Sequence, residues 1–138
     1  MLIFLTLLHF LTTPILTPTS KTKFTVEIQN VQTATGTVEI GLYKPCSGFP
    51  DKCKPYETKQ VKAAKGSVHA IFEVDPGDYA LAIYHDVNSN GKIDMRFMIP
   101  REPYGFSNNI RPRFSAPKFQ ECRVQIGHEA KNVSIRIE

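Results

Sequence analysis

The sequence lacks the motifs that accompany common enzyme chemistries. It contains no glycine-rich phosphate loop, no HEXXH helix and no zinc quartet of paired cysteines. No serine lies in a GXSXG nucleophile elbow, although His85, Asp86 and Ser107 can be written on paper as a catalytic triad. Closeness in sequence does not establish that geometry. We therefore predict that the chain is not an enzyme.

The sequence also has little concentrated charge. Its 17 Lys and Arg residues are mixed with 13 Asp and Glu residues, so the net charge of +4 forms no dense basic stripe. Such a stripe is the electrostatic footprint of a protein that binds a phosphate backbone, and we expect no nucleic-acid partner. The 41% of hydrophobic residues in 138 is enough for one core, which predicts a single globular domain.

Long apolar segments are absent after the N-terminus, where the run LIFLTLLHFL covers residues 2–11. That run has the length of a signal-peptide core and is too short for a stable membrane span. No Lys or Arg precedes it, and the cleavage pattern after it is vague. We interpret residues 1–20 as a signal peptide and residues 21–138 as one exported domain without a transmembrane segment. The expected location is the periplasm, the cell surface or the medium. A buried N-terminal strand or helix is the alternative, which Pro14 and Pro18 would interrupt.

Only three cysteines are present. In an exported protein disulfides persist, and Cys46 and Cys53 flank the short loop SGFPDK. We predict a disulfide between them, although the sequence alone does not establish its geometry. Cys122 is then left over, and we expect it to be a small buried hydrophobe on a strand rather than a reactive thiol.

From residue 24 onward apolar and polar residues alternate, and no stretch keeps helical spacing for three turns. This pattern predicts an all-β fold, an antiparallel β-sandwich of about seven strands without a substantial helix. The expected strands cover residues 24–28, 36–43, 58–63, 67–74, 79–85, 119–126 and 133–137. Turns at residues 32–36 and 65–66 predict that the first two strands form one hairpin and the next two another. We expect the loop 44–55 to cross from one sheet to the other.

The most unusual stretch is DVNSNGKID, residues 86–94. Oxygen-bearing side chains occupy loop positions 1, 3, 5 and 9 and a glycine occupies position 6, which is most of a calcium-binding loop. The predicted ligands of this Ca²⁺ site are Asp86, Asn88, Asn90, Asp94 and the main-chain carbonyl of Lys92.

The closing ligand of such a loop is missing. Position 12, which is normally a bidentate Glu, is Phe97, and any binding should therefore be weak. The alternative is a metal-free β-hairpin in which Asn90 and Gly91 form the tight turn and Asp86 and Asn88 make Asx turns.

The segment that follows interleaves basic and aromatic side chains with four prolines and predicts little regular structure. Stacking and charge-assisted hydrogen bonds would suit an acidic or sugar-like ligand here. The candidate ligand-binding residues are Arg96, Arg101, Tyr104, Phe106, Asn108, Arg111 and Arg113. The alternative is that the aromatic rings cap the open end of the sandwich while the arginines stay solvated. A cell-envelope protein or glycan is the partner class that we expect for either site.

Several motifs together resemble the DUF2141 family of uncharacterised bacterial exported proteins. They are GFP at residues 48–50, PGDY at 76–79, HDVNSNGKID at 85–94 and YGFSNN at 104–109, and the similarity covers about residues 24–138. The resemblance implies a small transthyretin-like, immunoglobulin-like β-sandwich and no established activity. The three cysteines depart from the family's usual pattern, so the disulfide is inferred from this sequence alone.

These observations favour an exported, non-catalytic β-sandwich module that binds or supports a partner through its 86–117 loops and carries a weak calcium site. Two alternatives remain open. One is a carbohydrate- or acidic-ligand-binding module that uses residues 96–119, and the other is a hydrolase whose site the sequence does not reveal.

Overall fold

The structure is a computed structural model that describes residues 14–15 and 20–138. The predicted signal peptide therefore lies almost entirely outside the described residues and stays a prediction. The strands within these residues are β1 (Thr22–Val31), β2 (Thr37–Tyr43), β3 (Glu57–Lys62), β4 (Gly66–Val74), β5 (Gly77–Asp86), β6 (Met95–Arg96), β7 (Ile99–Pro100), β8 (Tyr104–Phe106), β9 (Val124–Ile126) and β10 (Lys131–Arg136). A 3₁₀ turn at Ser107–Asn109 and the one-turn helix α1 (Phe119–Cys122) complete the elements. The predicted all-β class is confirmed.

Two sheets face each other across a shared core. The three-stranded sheet has the order β10-β1-β4, with β10 parallel and β4 antiparallel to β1. The five-stranded sheet has the order β3-β2-β5-β8, and β9 pairs with the beginning of β5. Strands β6 and β7 pair with each other in a separate hairpin. Within the described residues, no helix is long and apolar enough to cross a membrane.

The main core lies between these two sheets because each strand turns one alternating set of apolar side chains inward. The three-stranded sheet contributes Phe24, Val26, Ile28, Val68, Ala70, Phe72, Val74 and Ile135. The five-stranded sheet contributes Val38, Ile40, Leu42, Tyr79, Leu81, Ile83, Val124 and Ile126. The alternation of the sequence therefore identified the inward faces of these strands correctly.

Both predicted hairpins are wrong. Strand β1 pairs with β4 and β10, whereas β2 pairs with β3 and β5, so residues 32–36 connect the two sheets. Strands β3 and β4 likewise belong to different sheets. The physical reason is that alternation reveals a buried face, and two successive strands can bury their faces against each other across the core instead of pairing side by side.

Two further expectations about connections are also wrong. Residues 44–56 do not cross between sheets, because β2 and β3 are antiparallel neighbours in the five-stranded sheet. The predicted strand at residues 119–126 is a strand only from Val124 to Ile126, and it begins as helix α1. Phe119 and Cys122 are three residues apart, so one helical turn directs both inward, and four residues are too few for a helical period to be recognised.

A second cluster covers the outer face of the five-stranded sheet. Its buried members are Tyr43, Phe49, Ala80, Phe106, Phe119 and Cys122. The central ring is Phe49, whose centroid lies 5.0 Å from Tyr43 and 6.1 Å from both Phe106 and Phe119 in edge-to-face geometry. Strand β5 is therefore covered on both faces.

The disulfide loop, residues 44–56, carries Phe49 into the second cluster. The predicted bond between Cys46 and Cys53 is confirmed, with Cα atoms 6.3 Å apart. The expectation of a buried free thiol at Cys122 is also confirmed, although it lies on helix α1 and not on a strand. Burial, assisted by the nearby Glu121 carboxylate, raises the pKa of Cys122 to about 12, so the thiol stays protonated and unreactive near neutral pH.

Candidate functional site

The acidic loop, residues 86–94, begins where the central strand β5 ends. Asp86 is fully buried, and its two carboxylate oxygens accept hydrogen bonds from the Asn90 and Gly91 N–H groups at 3.1 and 2.8 Å. Gly91 has a φ of 78°, which a glycine adopts without steric cost. Asp86 thus folds the loop back over the end of its own strand.

The side chains at loop positions 3, 5 and 9 converge. The Nδ2 groups of Asn88 and Asn90 donate to the two carboxylate oxygens of Asp94 at 2.6 and 2.7 Å. The Oδ1 atoms of the same asparagines accept from the Asn90 and Lys92 N–H groups at 3.2 and 3.1 Å. The side chains of four predicted calcium ligands, Asp86, Asn88, Asn90 and Asp94, therefore form hydrogen bonds within this one loop. The fifth, Lys92, takes part in these hydrogen bonds only through its main chain.

The hairpin alternative is partly wrong. The Asx turn predicted at Asn88 is present, but β5 pairs with β8 and not with β6, so the acidic loop does not join two paired strands. Asn90 is not among the residues with a positive φ, whereas Ser89 and Gly91 are. A two-residue turn at Asn90 and Gly91 is consequently not what closes this loop.

Sequence reasoning missed Glu102, which closes the loop from outside it. Its carboxylate is 7% exposed, and Oε1 accepts from the Val87 N–H group while Oε2 accepts from the Asp94 N–H group, both at 3.0 Å. One side chain thereby ties the two ends of the acidic loop together. The only sequence signal was a single acid in a basic segment, between Arg101 and Pro103.

The carboxylates around the acidic loop have no cationic partner within the described part of the chain. None of the ion pairs involves Asp86, Asp94 or Glu102. Their field reaches Tyr84, whose pKa is raised to about 12 by burial first and then by Glu39, Asp86 and Glu102. The site is therefore a locally negative region that is neutralised only by N–H dipoles.

No group of three or more His, Cys, Asp or Glu side chains is arranged to hold a metal ion anywhere in residues 14–15 and 20–138. Carboxylates alone would not complete a coordination shell here. A hard cation would need amide and main-chain oxygens as well, which is the mixed donor set that calcium accepts.

His85, Asp86 and Ser107 do not form a catalytic triad in the structure. The Nε2–H group of His85 donates to the Thr35 carbonyl oxygen at 2.7 Å, and its buried Nδ1 has no partner among the described residues. Both oxygens of Asp86 bind the acidic loop. Ser107 accepts a hydrogen bond from the Leu81 N–H group and donates one to the main-chain carbonyl of Cys122. Each group therefore serves a different part of the fold.

The seven candidate residues for an acidic or sugar-like ligand separate into two sets. Tyr104 and Phe106 form β8 and contact the second cluster. Asn108 donates to two carbonyls near α1 at 3.0 and 2.9 Å, and Arg111 donates to the Tyr104 and Arg136 carbonyls at 2.8 and 2.7 Å.

The other three residues stay in solvent. The side chains of Arg96, Arg101 and Arg113 make no hydrogen bond or ion pair with the described residues. The first four residues therefore hold the fold together, and the structure does not bring all seven onto one surface.

Comparison with known families gives a match over most of the chain. A family model described as "Uncharacterized protein conserved in bacteria (DUF2141)" matches residues 26–134. That range contains most of the main core, the disulfide loop, the acidic loop and Glu102. No curated protein and no solved structure matches the chain. The family's description assigns no activity, so a function has to be argued from the geometry of the site.

Proposed function

This chain belongs to the DUF2141 family, and from that premise we propose that it is an exported, non-catalytic β-sandwich module whose acidic loop binds a calcium ion weakly. The sandwich is the rigid support, and loops on such supports commonly carry recognition. The bound ion would hold residues 86–102, from the acidic loop to Glu102, in one conformation. Three carboxylates without a cationic partner are the observation that supports this proposal.

Uncompensated negative charge supports the proposal. The carboxylates of Asp86, Asp94 and Glu102 all accept hydrogen bonds from the acidic loop, and none has a cationic partner among the described residues. A divalent cation that prefers oxygen ligands would supply the missing positive charge. Calcium fits better than magnesium because it tolerates irregular shells of carboxylate, amide and main-chain oxygens.

Affinity is limited by a rearrangement that binding requires. Asn88 and Asn90 present their Nδ2 groups to Asp94, so each amide would rotate by about 180° to present oxygen instead. The rotation gives up the hydrogen bonds that their Oδ1 atoms accept from the backbone. We therefore expect a dissociation constant of about 10⁻⁴ to 10⁻³ M, in the range of extracellular calcium modules.

Thermal unfolding tests the proposal. With calcium at about 10 mM, mass action adds roughly 1.4 to 2.7 kcal/mol to the free energy of unfolding relative to EDTA. The melting temperature should rise by several degrees, and magnesium should have a smaller effect. Asp94→Asn should remove the response, and it is preferable to a change at Asp86, whose buried carboxylate also holds the loop backbone.

The matched control is Asp51→Asn, which removes the same charge from the exposed disulfide loop and should keep the calcium response. Equal melting temperatures of the unmodified chain in calcium and in EDTA would contradict the proposal. A full response in Asp94→Asn would contradict the assignment of the ligands.

A groove favours a second candidate function, the binding of an acidic or sugar-like ligand. It has a volume of about 730 Å³ and lies between the disulfide loop and residues 115–120. The exposed Lys52 and Lys118 side chains line it, and two cationic groups beside one groove suit charge-assisted bonds to an acidic ligand. A glycan array that shows binding lost in the double variant Lys52→Gln, Lys118→Gln would favour this function over the calcium module.

A further inference from the structure

The β6–β7 hairpin, residues 95–100, exposes an unusual amount of apolar surface. Phe97 is 86% exposed and Met98 is 91% exposed, and Met95 and Ile99 beside them are also exposed. Single exposed hydrophobic residues are ordinary, whereas contiguous exposed patches mark interaction sites. Four large apolar side chains within five consecutive residues form such a patch.

The backbone at the tip conflicts with the residues that occupy it. Phe97 and Met98 have φ angles of 50° and 63°, in the left-handed region that bulky side chains rarely adopt. A two-residue hairpin turn with two positive φ angles usually contains Asn and Gly. The sequence therefore places two large apolar side chains where turn chemistry favours small polar residues, and such violations of a local rule are expected at functional sites.

The exposed charged side chains near the hairpin tip are basic. Lys92, Arg96 and Arg101 surround it, and their side chains form no ion pair among the described residues. The neighbouring acids are engaged in hydrogen bonds, Asp94 with two asparagine amides and Glu102 with two backbone N–H groups. The exposed charged side chains beside the apolar tip are therefore the cationic ones.

We propose that the β6–β7 hairpin inserts its tip into the surface of an anionic lipid bilayer. Phe97 and Met98 would enter the boundary between headgroups and acyl chains, while Arg96 and Arg101 contact lipid phosphates. Apolar insertion combined with basic residues is the usual means of interfacial binding, and it needs no complementary pocket. The guanidinium of Arg96 lies 5.6 Å from the Phe97 ring, so charge and apolar surface occupy the same place.

This inference goes beyond the calcium proposal and does not depend on it, since the hairpin is exposed and cationic without any bound ion. Both ideas can therefore fail separately. The vesicle experiments are carried out in EDTA, and a failure there leaves the calcium-dependent melting shift unaffected.

Sedimentation with vesicles gives the first test. The full chain should bind phosphatidylcholine vesicles that contain roughly one quarter phosphatidylglycerol, and bind pure phosphatidylcholine more weakly. The double variant Phe97→Asn, Met98→Gly should lower the affinity by about tenfold or more, because each removed side chain loses apolar burial. This substitution suits the turn, so the hairpin is retained. Arg96→Gln with Arg101→Gln should weaken binding only to the anionic vesicles.

The matched control is Phe114→Ser. Phe114 is 100% exposed, so its removal takes away an equally accessible ring from another part of the chain. Binding should be unchanged in this variant. An equal loss of vesicle affinity in Phe114→Ser would show that exposed aromatic rings adsorb to vesicles non-specifically, and it would overturn the proposal.

Tryptophan fluorescence gives a second, direct readout because the chain has no Trp of its own. A Phe97→Trp variant should show a blue shift of its emission when anionic vesicles are added, as an indole at the bilayer interface does. A Phe114→Trp variant should show none.

Two results would overturn the proposal outright. One is the absence of any binding of the unmodified chain to anionic vesicles. The other is a dimer, detected without vesicles by analytical ultracentrifugation, that the Phe97→Asn, Met98→Gly variant dissociates. That result would assign the tip to a second copy of this chain instead of a lipid surface.

Discussion

Two long segments leave the five-stranded sheet, the disulfide loop after β2 and residues 87–103 after β5, and they are built in opposite ways. The disulfide loop buries an aromatic ring, Phe49 at 3% exposure, and keeps its charges in water. The second segment buries a carboxylate, Glu102, and exposes an aromatic ring, Phe97. Hydrophobic contacts and a covalent bond fasten the first, whereas hydrogen bonds to acids fasten the second. Only the second should therefore respond to ions.

The largest effect should come from Phe49→Ala. This substitution removes the central ring of the second cluster and should lower the free energy of unfolding by about 3 to 5 kcal/mol. Urea denaturation followed by circular dichroism measures the loss. Phe114→Ala is the matched control, because that ring is fully exposed and its removal should change stability by less than about 0.5 kcal/mol. Similar losses in both variants would mean that Phe49 does not organise the loop.

The double variant Cys46→Ser, Cys53→Ser should have the next largest effect. Opening a loop of this length should lower stability by about 2 to 3 kcal/mol through the entropy of the unfolded chain. Reduction of the unmodified protein should give the same loss, since Cys122 is already a free thiol. A much larger loss in the variant than on reduction would point to lost packing at the serines and not to the cross-link.

The smallest of the three effects should come from Glu102→Ala, about 1 to 3 kcal/mol, because the Val87 and Asp94 N–H groups lose their acceptor. Glu102→Gln keeps one acceptor oxygen and should lose less. Hydrogen exchange at those two amides should accelerate, while exchange in the disulfide loop should stay unchanged. Faster exchange in both segments would show that they unfold as one unit, contrary to the contrast between them.

The sequence was sufficient to locate the long strands of the two sheets and insufficient to predict how they pair. Alternation in β2 and β5 located both strands and their buried faces. Successive side chains of a strand point to opposite faces, so burial of one face makes every second residue apolar. Pairing is decided by which backbone lies alongside, and backbone hydrogen bonds leave no residue pattern. Strands β1 and β2 therefore looked like a hairpin although they lie in opposite sheets.

The acidic loop was predictable in part for a similar reason. Its Asx-forming residues act on backbone two to five positions away, so their spacing is visible in the sequence. Glu102 binds N–H groups that are 15 and 8 positions away, and no periodicity links them. The hairpin tip was overlooked because apolar letters normally indicate burial, and exposure is decided by the turn that lifts Phe97 and Met98 out of the fold.

The parallel pairing of β1 with β10 also affects how the chain can fold. It joins the first and last strands of the described residues, and the bond between Ser134 and Glu27 spans 107 positions. Contacts so distant in sequence form late and slow the folding of a small domain. Until β10 pairs with it, β1 has one open edge, a state that invites aggregation. Strand β10, which follows all the other strands in the described residues, thus completes the three-stranded sheet.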